Sequence, residues 1–405
     1  MSLIVQKYGG SSLADAYKIK NVARKILKTR DEENQVIVIV SAMGDTTDDL
    51  ISLAKKISPV PPKRELDMLL ATGEQVSIAL LAMAIEEMGG NAISLTGPQA
   101  GIKTDQIYSK AKIVDIVPTR LHEELEHNKI VIVAGFQGMN ENNDITTLGR
   151  GGSDTTAVAI AAAVKADRCD IYTDVTGVFA ADPRIVPDIK KIPVISYDEM
   201  LELAICGAGV LQPRAVEVAK VHNVKLGVLS SFVETKGTIV QEVTRMEKDV
   251  IITGIAHDKD VVKLAVFGVP DAPGTAAKLF SELAENNINI QMIFQSAEEQ
   301  GINDIAFTVN SDDAVLALEI LKKFKTQVDA KGVIMKDEMA RVSIVGAGMI
   351  THPGVAARMF DILAINGINL EMISTSEINV SVIIKREKCD QAVKLLAKEF
   401  KLIND

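Results

Sequence analysis

The stretch Thr147-Leu-Gly-Arg-Gly-Gly-Ser-Asp-Thr-Thr-Ala157 connects a predicted strand to a predicted helix. The strand is the apolar run Ile130-Val-Ile-Val-Ala-Gly135, which is followed by a polar loop, and the helix is Ala157-Val-Ala-Ile-Ala-Ala-Ala-Val164. A glycine-rich loop at the start of a helix collects free backbone N–H groups at the positive end of the helix dipole. The pattern therefore favours an anion-binding site.

The side chains of this loop narrow the kind of ligand. Arg150 carries a planar guanidinium that can hold a carboxylate or a phosphate bidentately. The hydroxyls of Ser153, Thr155 and Thr156 and the single negative charge of Asp154 follow it. An ordinary strand-to-helix turn with a serine or aspartate N-cap is the alternative. One arginine together with one aspartate favours a small zwitterionic ligand bound beside a phosphate.

The composition is that of a globular protein with several domains. The chain has 405 residues, of which 47% are hydrophobic and 24% charged, which suits roughly two to four domains. Its net charge of −10 disfavours a nucleic-acid or anionic-membrane surface. The lysines of 18–28 are spaced along a predicted amphipathic helix, so they form a solvated face. We expect neither a nucleic-acid nor a membrane partner.

Two features indicate the compartment. Cys169, Cys206 and Cys389 lie far apart, in no metal or redox spacing, which suits reducing conditions. The chain opens directly into the predicted strand Leu3–Tyr8, with no signal peptide and no apolar run of membrane-spanning length. We therefore expect a cytoplasmic protein.

Up to about Gln241 the sequence alternates apolar β-branched runs with helical patterns. Val36-Ile-Val-Ile-Val40 lacks polar alternation, which is typical of a strand covered on both faces. The pattern predicts an α/β sandwich with a mainly parallel sheet. The predicted strands are Leu3–Tyr8, Gln35–Ser41, Ala92–Thr96, Ile130–Ala134, Cys169–Thr173 and Leu226–Ser230, and the predicted helices include Tyr17–Thr29, Glu65–Met88 and Ala157–Lys165.

Ligands of parallel sheets sit over the carboxyl ends of the strands. Four loops should therefore share one cleft: Gly9–Ser12, Ala42–Thr47, Gly149–Asp154 and Thr173–Arg184.

A repeat begins after about Val250. Residues 273–296 align without gaps on residues 353–376, and thirteen of the twenty-four pairs are identical at an offset of eighty. Each copy reads strand, Pro-Gly loop, helix, strand, strand, helix. The first copy adds a closing strand at Gly332–Lys336, whereas the second has only Lys401–Asp405 left, which is too short.

Strand counting suggests where the missing strand comes from. Asp249-Val-Ile-Ile-Thr-Gly-Ile-Ala256 is an apolar run without another evident partner, so we predict that it completes the sheet of the second repeat. The first repeat is then inserted in the second. The predicted domains are 1–245, 262–338, and 249–261 plus 339–405.

The chain resembles the aspartokinases over essentially its full length. The motifs occur in the family's order: Lys7-Tyr-Gly-Gly-Ser-Ser12, Ser41-Ala-Met, Ala71-Thr-Gly-Glu74, the Gly149–Thr156 loop, and Thr173-Asp-Val-Thr-Gly-Val-Phe-Ala-Ala-Asp-Pro-Arg184. The two repeats resemble tandem ACT domains, which are βαββαβ ferredoxin-like modules that bind amino acids. The resemblance implies an amino-acid-kinase fold and transfer of phosphate from ATP to the side-chain carboxylate of aspartate. It also implies the first step of the lysine, threonine and methionine (diaminopimelate) pathway.

Lys7 is the predicted catalytic cation. It stands just ahead of Gly9 and Gly10, which allow close backbone approach to phosphates, and we expect the helix from Ala14 onward to add its N-terminus. A surface lysine at a strand end is the alternative. Asp154 is expected to orient Lys7 or the loop rather than act as a base, since the acceptor carboxylate is already ionised.

The family pattern also implies the substrate and nucleotide contacts. Arg150 would clamp the α-carboxylate of aspartate, and Glu74 would accept from its ammonium group, although a carboxylate early in a helix can merely complement the dipole. The remaining predicted substrate contacts are Ser41, Thr47, Gly151, Gly152 and Ser153. The predicted nucleotide contacts are Lys7, Gly9, Gly10, Ser11, Thr173, Asp174, Phe179, Asp182 and Arg184. Mg²⁺ is expected to be held mainly by the phosphates, and no protein ligand is assigned to it.

One position departs from the family. Many members have Gly-[AS]-Lys before Val-Leu, and this chain has Gly207-Ala-Gly209. The lysine usually reaches the nucleotide phosphates, so one phosphate contact is in doubt. Arg214, Arg184 or Lys225 are candidates to replace it.

The resemblance further implies feedback inhibition by lysine, threonine or both at the ACT domains, and a homodimer or homotetramer formed through them. The loops Asp271–Gly274 and Thr351–Gly354 each open a predicted helix. Asn289 and Asn369 could hold an effector or be turn residues. The full predicted effector set is Asp271, Gly274, Asn289, Gln295, Gly354, Val355, Asn369, Ser376 and Glu377.

Three other functions compete with this interpretation. Val345-Gly-Ala-Gly-Met-Ile-Thr351 resembles a dinucleotide fingerprint, but it has threonine at the third glycine position and only about sixty residues remain after it. A non-catalytic amino-acid sensor would not need the charged catalytic positions. A sister kinase acting on glutamate, acetylglutamate or uridylate would generally lack tandem ACT domains.

Overall fold

The computed structural model describes residues 2–243, 251–296 and 301–404, and it divides into two compact units. The first unit contains the chain up to Val178, then Lys191–Ala204 and the residues from Gly209 to the first gap. The second unit contains Phe179–Lys190, Ile205–Ala208 and the rest of the described chain. Two short segments of the predicted catalytic domain, 1–245, therefore belong to the second unit.

The first unit alternates strands and helices. Its helices are α1 (Ala16–Asp31), α2 (Thr46–Ile57), α3 (Lys63–Glu87), α4 (Thr119–Glu126), α5 (Gly152–Ala163), α6 (Tyr197–Ile205) and α7 (Pro213–His222). Its strands are β1 (Leu3–Tyr8), β2 (Gln35–Val40), β3 (Ala92–Leu95), β4 (Ile102–Thr104), β5 (Ile113–Ile116), β6 (Ile130–Ala134), β7 (Gln137–Met139), β8 (Ile145–Thr147), β9 (Arg168–Thr173), β10 (Val194–Ile195), β11 (Leu226–Ser230) and β12 (Thr238–Val240).

The main sheet confirms the predicted α/β class. Its strand order is β10-β12-β11-β9-β1-β2-β6-β3, and all neighbours are parallel except β11 and β12. β1 lies between β2 and β9, where Lys7 is in register with Ile39 and Ile171. Lys7 thus stands near the carboxyl end of a central strand, beside the ends of its two neighbours.

The apolar runs form the core because helices cover both faces of the sheet. All of Val36–Val40 and Ile130–Ala134 is buried. On one face α1 and α3 place Ile26 and Ile85 in a cluster with Val38. On the other face α5 contacts β1, β2 and β9. Each large buried aliphatic side chain contributes about 1.5–3 kcal/mol.

Two helix starts differ from the expectation. The helix predicted at Ala157 begins at Gly152, because Gly151 adopts a left-handed conformation (φ 71°) and acts as the N-cap. The helix expected from Ala14 begins at Ala16, because the Asp15 side chain accepts a hydrogen bond from the Lys18 N–H. A short 3₁₀ turn over Gly10–Ser12 therefore separates the first glycine pair from α1.

A second, four-stranded sheet was not predicted. Its order is β5-β4-β7-β8, and its strands contain only three or four residues each. β7 and β8 form an antiparallel pair that ends at Thr147, directly before the glycine loop. This small sheet therefore determines where that loop begins.

Among the described residues, one helix, α3, is long and apolar enough by length and composition to cross a membrane. Half of its most apolar window is buried, and Leu81 and Ile85 pack in the core of the first unit. A buried core helix of this length passes the same test, so the helix is weak evidence for a membrane span.

The second unit contains the repeat. Its strands are β13 (Gly254–Pro270), β14 (Met292–Gln295), β15 (Ile302–Val309), β16 (Gly332–Val345), β17 (Met372–Thr375) and β18 (Asn379–Lys385), and its helices are α8 (Thr275–Glu285), α9 (Ser311–Val328), α10 (Val355–Ile365) and α11 (Cys389–Glu399). The strands form one sheet in the order β14-β15-β13-β16-β18-β17.

The strand pairing agrees with an insertion of the first repeat in the second. The beginning of β13, from Gly254 to Asp258, pairs with Val345 to Arg341, which belong to the second repeat. The end of β13, from Lys263 to Phe267, pairs with Lys336 to Gly332 of the first repeat. The first residues of the predicted strand, 249 and 250, lie outside the described residues. The domain boundaries themselves stay predictions.

The dinucleotide-binding alternative does not fit this unit. Ala347–Thr351 forms a 3₁₀ helix, and the preceding strand β16 pairs antiparallel on both sides. A dinucleotide fingerprint needs a parallel strand–loop–helix unit.

Candidate active site

A cavity of about 350 Å³ lies in the first unit over the carboxyl ends of the central strands. It brings together nine of the residues predicted for the reaction: Lys7, Ser41, Thr47, Glu74, Arg150, Gly151, Gly152, Ser153 and Asp154. Thr173 of the predicted nucleotide set also lines it. Three of the four loops expected to share a cleft therefore contribute to its wall.

Lys7 and Asp154 form an ion pair at the centre of this cavity. The Nζ atom of Lys7 is 2.6 Å from Oδ1 of Asp154, and the two side chains are only 13% and 10% exposed. Lys7 lies on β1 and Asp154 in the first turn of α5. The pair joins the strand that should carry the catalytic cation to the helix that opens from the glycine loop.

The glycine loop is a tight connection between β8 and α5. Gly149 and Gly151 both have left-handed backbone conformations, with φ values of 77° and 71°. A Cβ atom at Gly151 would overlap the Gln212 side chain, so no larger residue fits this loop position. The loop exposes Arg150 at the cavity, while Ser153 and Asp154 are buried in the first turn of the helix.

Glu74 is a buried carboxylate that faces the cavity with one oxygen unpaired. It lies in the middle of α3, so the dipole explanation for an acidic residue near a helix start does not apply. Its Oε1 accepts a hydrogen bond from the Ala42 N–H at 3.1 Å, while its buried Oε2 has no partner among the described residues. Burial raises the pKa of Glu74 to about 7. An unpaired buried carboxylate oxygen is a favourable place for a ligand cation.

Ser41 and Thr47 belong to the turn between β2 and α2. The Ser41 N–H donates to the Tyr8 carbonyl at 3.2 Å, which continues the pairing of β1 and β2 by one residue. Thr47 lies in the first turn of α2 and is half-buried. The same turn supplies the Ala42 N–H that fixes Glu74.

Of the predicted nucleotide residues, Lys7 and Thr173 line this cavity. Gly10 and Ser11 lie in the 3₁₀ turn and Gly9 is its N-cap, and none of the three is among the lining residues of the cavity. The Thr173 hydroxyl lines the cavity and donates to Asp174 at 3.0 Å.

The other three nucleotide residues, Phe179, Asp182 and Arg184, belong to the second unit. Arg184 is 2.8 Å from Asp182 in an exposed ion pair. Partial burial raises the pKa of Asp182, but hydrogen bonds from Arg184 outweigh this and hold the pKa below its ordinary value. Their contact with a nucleotide stays a prediction.

Six lining residues had not been assigned a role of their own: Phe136, Gly149, Ile171, Gly209, Val210 and Gln212. Phe136 lies two residues after β6, where the strand-end rule could have identified it, and Ile171 lies inside β9. Gly209 is the position where the family lysine is absent. Its backbone is left-handed (φ 67°), a conformation that favours glycine over lysine.

The three residues considered as substitutes for that lysine do not line the cavity, as far as the described chain extends. The Arg214 guanidinium donates instead to the carbonyls of Leu148 at 2.9 Å and Ala111 at 3.0 Å. Arg214 therefore supports the chain just before the glycine loop.

A second cavity of about 360 Å³ lies in the second unit and includes three predicted effector residues, Asp271, Gly274 and Gln295. Asn303, which had no assigned role, also lines it. Asn303 is buried and donates to Asp271 at 3.0 Å, and its own carbonyl oxygen has no partner within the described residues. A buried unpaired acceptor here suits a ligand with an N–H or O–H group.

The other predicted effector residues are not part of that cavity. Gly354 is the N-cap of α10 and Val355 is buried beneath its first turn. Asn289, Asn369, Ser376 and Glu377 are exposed.

The described ranges, 2–243, 251–296 and 301–404, contain no group of three or more His, Cys, Asp or Glu side chains placed to hold a metal ion. In the first cavity Asp154 is paired with Lys7, and Glu74 is the other carboxylate among the lining residues. This donor set fits a divalent ion that arrives bound to phosphates better than one held by protein ligands.

Comparisons with known proteins agree with this arrangement. The model of the amino acid kinase family matches residues 2–230, and an ACT domain model matches 264–323 and 342–400. The aspartokinase of Bacillus sp. (strain MGA3) is 50% identical over 402 residues, covering 99% of this chain and 98% of that protein. The aspartokinase of Mycolicibacterium smegmatis is 51% identical over 411 residues, covering 100% of this chain and 97% of that protein.

Solved structures of E. coli aspartokinase III are also similar. The complex of that enzyme with aspartate and ADP has a TM-score of 0.85 at 24% identity and covers 98% of this chain and 99% of its own, which shows the fold. Its complex with lysine and aspartate has a TM-score of 0.77 at 25% identity and covers 99% of this chain and 100% of its own. From the shared fold, the family models and the full-length identity, the chain belongs to the aspartokinases, phosphotransferases with a carboxyl group as acceptor.

Proposed function

We propose that this chain binds aspartate and ATP in the first-unit cavity and transfers the γ-phosphoryl group to the side-chain carboxylate of aspartate. A new bond forms between a carboxylate oxygen and the γ-phosphorus. The bond between that phosphorus and the β–γ bridging oxygen breaks, and ADP leaves. The product is the acyl phosphate 4-phospho-L-aspartate.

This reaction needs no general base, because a carboxylic acid with a pKa near about 4 is ionised at neutral pH. The chain must instead hold two anions together and stabilise the charge on the transferring group. One observation carries the proposal: Lys7, Arg150 and Glu74 line one cavity, and one buried oxygen of Glu74 has no hydrogen-bond partner within the described residues. Two cationic groups and one anionic group match a zwitterionic amino acid beside a phosphate.

The side chains have separate roles. Arg150 binds the α-carboxylate of aspartate bidentately, and Glu74 accepts from the ammonium group with its free oxygen. Ser41, Thr47, Gly151, Gly152 and Ser153 complete the substrate contacts at the start of α5. These assignments leave the side-chain carboxylate of aspartate to point toward Lys7.

Lys7 neutralises the phosphates of ATP, and Asp154 orients it through the 2.6 Å ion pair. Mg²⁺, when bound, would neutralise phosphate charge, and no side chain of this chain is assigned to hold it. Gly9, Gly10, Ser11, Thr173, Asp174, Phe179, Asp182 and Arg184 are the proposed nucleotide contacts. The missing family lysine at Gly209 leaves Lys7 as the main phosphate cation of the cavity.

The second unit is the proposed regulatory part. We place an amino-acid effector, lysine and/or threonine, in the cavity of Asp271, Gly274, Gln295 and Asn303. The lysine complex of E. coli aspartokinase III supports an amino-acid effector for this chain. Such control suits the first step of lysine, threonine and methionine synthesis in the cytoplasm. A homodimer or homotetramer through the ACT domains is also proposed.

A coupled assay of ADP release tests the function. We expect turnover with L-aspartate and none above background with glutamate, N-acetylglutamate or uridylate. Lysine and threonine, added singly and together, should lower the rate. Release of ADP that ignores aspartate, or equal turnover with another acceptor, would refute the substrate assignment.

A further inference from the structure

Asp67 is a fully buried carboxylate outside the cavity, and the proposed reaction does not use it. It lies on α3 seven residues before Glu74, and this spacing places both on the same helix face. It accepts four hydrogen bonds, two from Ser109 and two from Thr147. Oδ2 accepts the N–H groups of Ser109 at 2.9 Å and Thr147 at 2.8 Å. Oδ1 accepts their hydroxyls at 3.2 Å and 2.8 Å.

These bonds fix the chain immediately before the glycine loop. Thr147 is the last residue of β8, and its carbonyl accepts the Ala111 N–H at 2.9 Å. The next residue, Leu148, donates its N–H to the Phe136 carbonyl at 2.9 Å, and its own carbonyl accepts from Arg214 at 2.9 Å. Both backbone groups of each residue are therefore held.

Only three residues then remain before α5 begins at Gly152. Gly149, Arg150 and Gly151 connect the fixed residues 147–148 to the helix, and both glycines have left-handed backbones. The Gly152 N–H donates to the Gly149 carbonyl at 2.9 Å, which closes the loop. Because both ends are fixed, the position of Arg150 depends on where Thr147 is held.

We propose that Asp67 is a positioning residue for substrate binding: through Thr147 it sets the place from which Arg150 reaches the α-carboxylate of aspartate. The inference rests on the proposed role of Arg150 as the aspartate clamp. The buried oxygens of Asp67 accept these hydrogen bonds at a place that water cannot reach. Loss of the Asp67 carboxylate therefore leaves the N–H groups of Ser109 and Thr147 without partners. A small displacement of a substrate-binding group is enough to weaken turnover strongly.

A matched pair of variants tests this mechanism. Thr147→Val and Ser109→Ala each remove one hydroxyl from the same Asp67 oxygen and leave both backbone N–H bonds in place. Thr147 is joined to the glycine loop along the backbone through Leu148, whereas Ser109 lies close to Gly149 through its backbone carbonyl, which Ser109→Ala retains. We expect Thr147→Val to raise the KM for aspartate about tenfold, with kcat and the KM for ATP within about twofold of wild type. Ser109→Ala should change all three by less than about twofold.

Asp67 itself gives a second test. Asp67→Asn can keep the pattern, because its amide oxygen accepts the two N–H groups and its NH₂ donates to hydroxyls that can rotate. Asp67→Ala cannot. We expect Asp67→Asn to stay within about threefold of wild type, and Asp67→Ala to raise the KM for aspartate at least about tenfold. If Asp67→Ala does not fold, the Thr147 and Ser109 pair still decides.

A double mutant separates this inference from the proposed function. In an Arg150→Ala background, Thr147→Val should cause no further rise in the KM for aspartate, since the group it positions is absent. If Arg150→Ala alone leaves that KM unchanged, the role of Arg150 in the proposed function fails together with the inference. If Arg150→Ala raises it but Thr147→Val and Ser109→Ala behave alike, the proposed function stands and the positioning role of Asp67 is overturned.

Discussion

The ammonium group of Lys7 lies 2.6 Å from a carboxylate oxygen of Asp154, across the gap between β1 and α5. Both side chains are largely buried, so the pair is shielded from solvent screening and fixes the lysine in the cavity wall. Phosphates that enter the cavity would find the ammonium group already oriented. A preoriented cation contributes to the transition state without reorganising during the reaction.

Replacing Lys7 with methionine should therefore remove a transition-state contact and keep the shape of the side chain. We expect Lys7→Met to lower kcat at least about a hundredfold while the KM for aspartate changes little. The coupled ADP assay measures both values. Lys225→Met is a matched control, because Lys225 is exposed and does not line the cavity. A kcat within about threefold of wild type for Lys7→Met would contradict the assignment.

Asp154→Asn should have a smaller effect. The amide keeps the size of the side chain but loses its charge, so Lys7 stays present and is less well oriented. We expect a drop of roughly tenfold in kcat, and no additional drop in a Lys7→Met background. Additive losses in the double variant would show that Asp154 acts independently of Lys7.

Glu74 should make aspartate capture pH-dependent. Burial raises its pKa to about 7, so in the free enzyme its carboxyl group is neutral below that pH and ionised above it. Since the ionised form binds the ammonium group, kcat/KM for aspartate should fall about tenfold per pH unit below about pH 7. Initial rates between about pH 5.5 and 8.5 measure this limb. Glu74→Gln should have a low kcat/KM for aspartate that does not fall further at low pH. If the variant keeps the same fall below about pH 7, another group causes it.

The same group should affect stability with a definite sign. The folded-state pKa lies above the ordinary value of 4.5, so the folded state binds more protons between the two values and loses stability as pH rises through that window. Glu74→Gln lacks this effect. The free energy of unfolding of Glu74→Gln, relative to that of wild type, should increase by up to about 3 kcal/mol as the pH rises from about 4.5 to about 7. Urea titrations of the free enzymes at both pH values measure the difference, and a pH-independent difference would contradict it.

The effector cavity predicts a separation of regulation from catalysis. Asp271→Ala removes the acceptor of Asn303, and Asn303→Ala removes the buried carbonyl available to a ligand. Both variants should raise the inhibitor concentration for half inhibition about tenfold or more while leaving kcat unchanged. Asp312→Ala, at an exposed position in the first turn of α9, is the control and should stay fully inhibited. Unaltered inhibition in both cavity variants would show that the effector binds at another site.

Much of the main sheet was predictable from its sequence pattern. Runs such as Val36–Val40 are apolar without interruption, which is typical of a strand covered on both faces. The small second sheet was not predictable in the same way. Ile113–Ile116 is a short strand without fully buried residues, so it carries no strong pattern, and its pairing with β4 depends on tertiary structure.

Prediction of the cavity succeeded where strand ends carry charged residues. Lys7 stands beside glycines near the carboxyl end of a parallel strand, and Arg150 belongs to the glycine loop that opens α5, the helix that packs on that strand. Gln212 and Asn303 had no such signal, because each reaches its cavity through the packing of a distant segment. The contiguous motif Thr173–Arg184 is divided between the two units, with Thr173 in the first and Asp182 in the second, and its role in nucleotide binding stays a prediction.

The long strands β13 and β16 pair with each other along most of their length, and each runs through both repeats. Separating the two repeats would remove a neighbouring strand from each of them. We therefore expect that neither repeat is stable as an isolated fragment. A deformation that alters the twist in one half also has to pass along the shared backbone into the other. Binding of a ligand to one repeat can in this way alter the other repeat through the shared strands, without a chain of side-chain contacts.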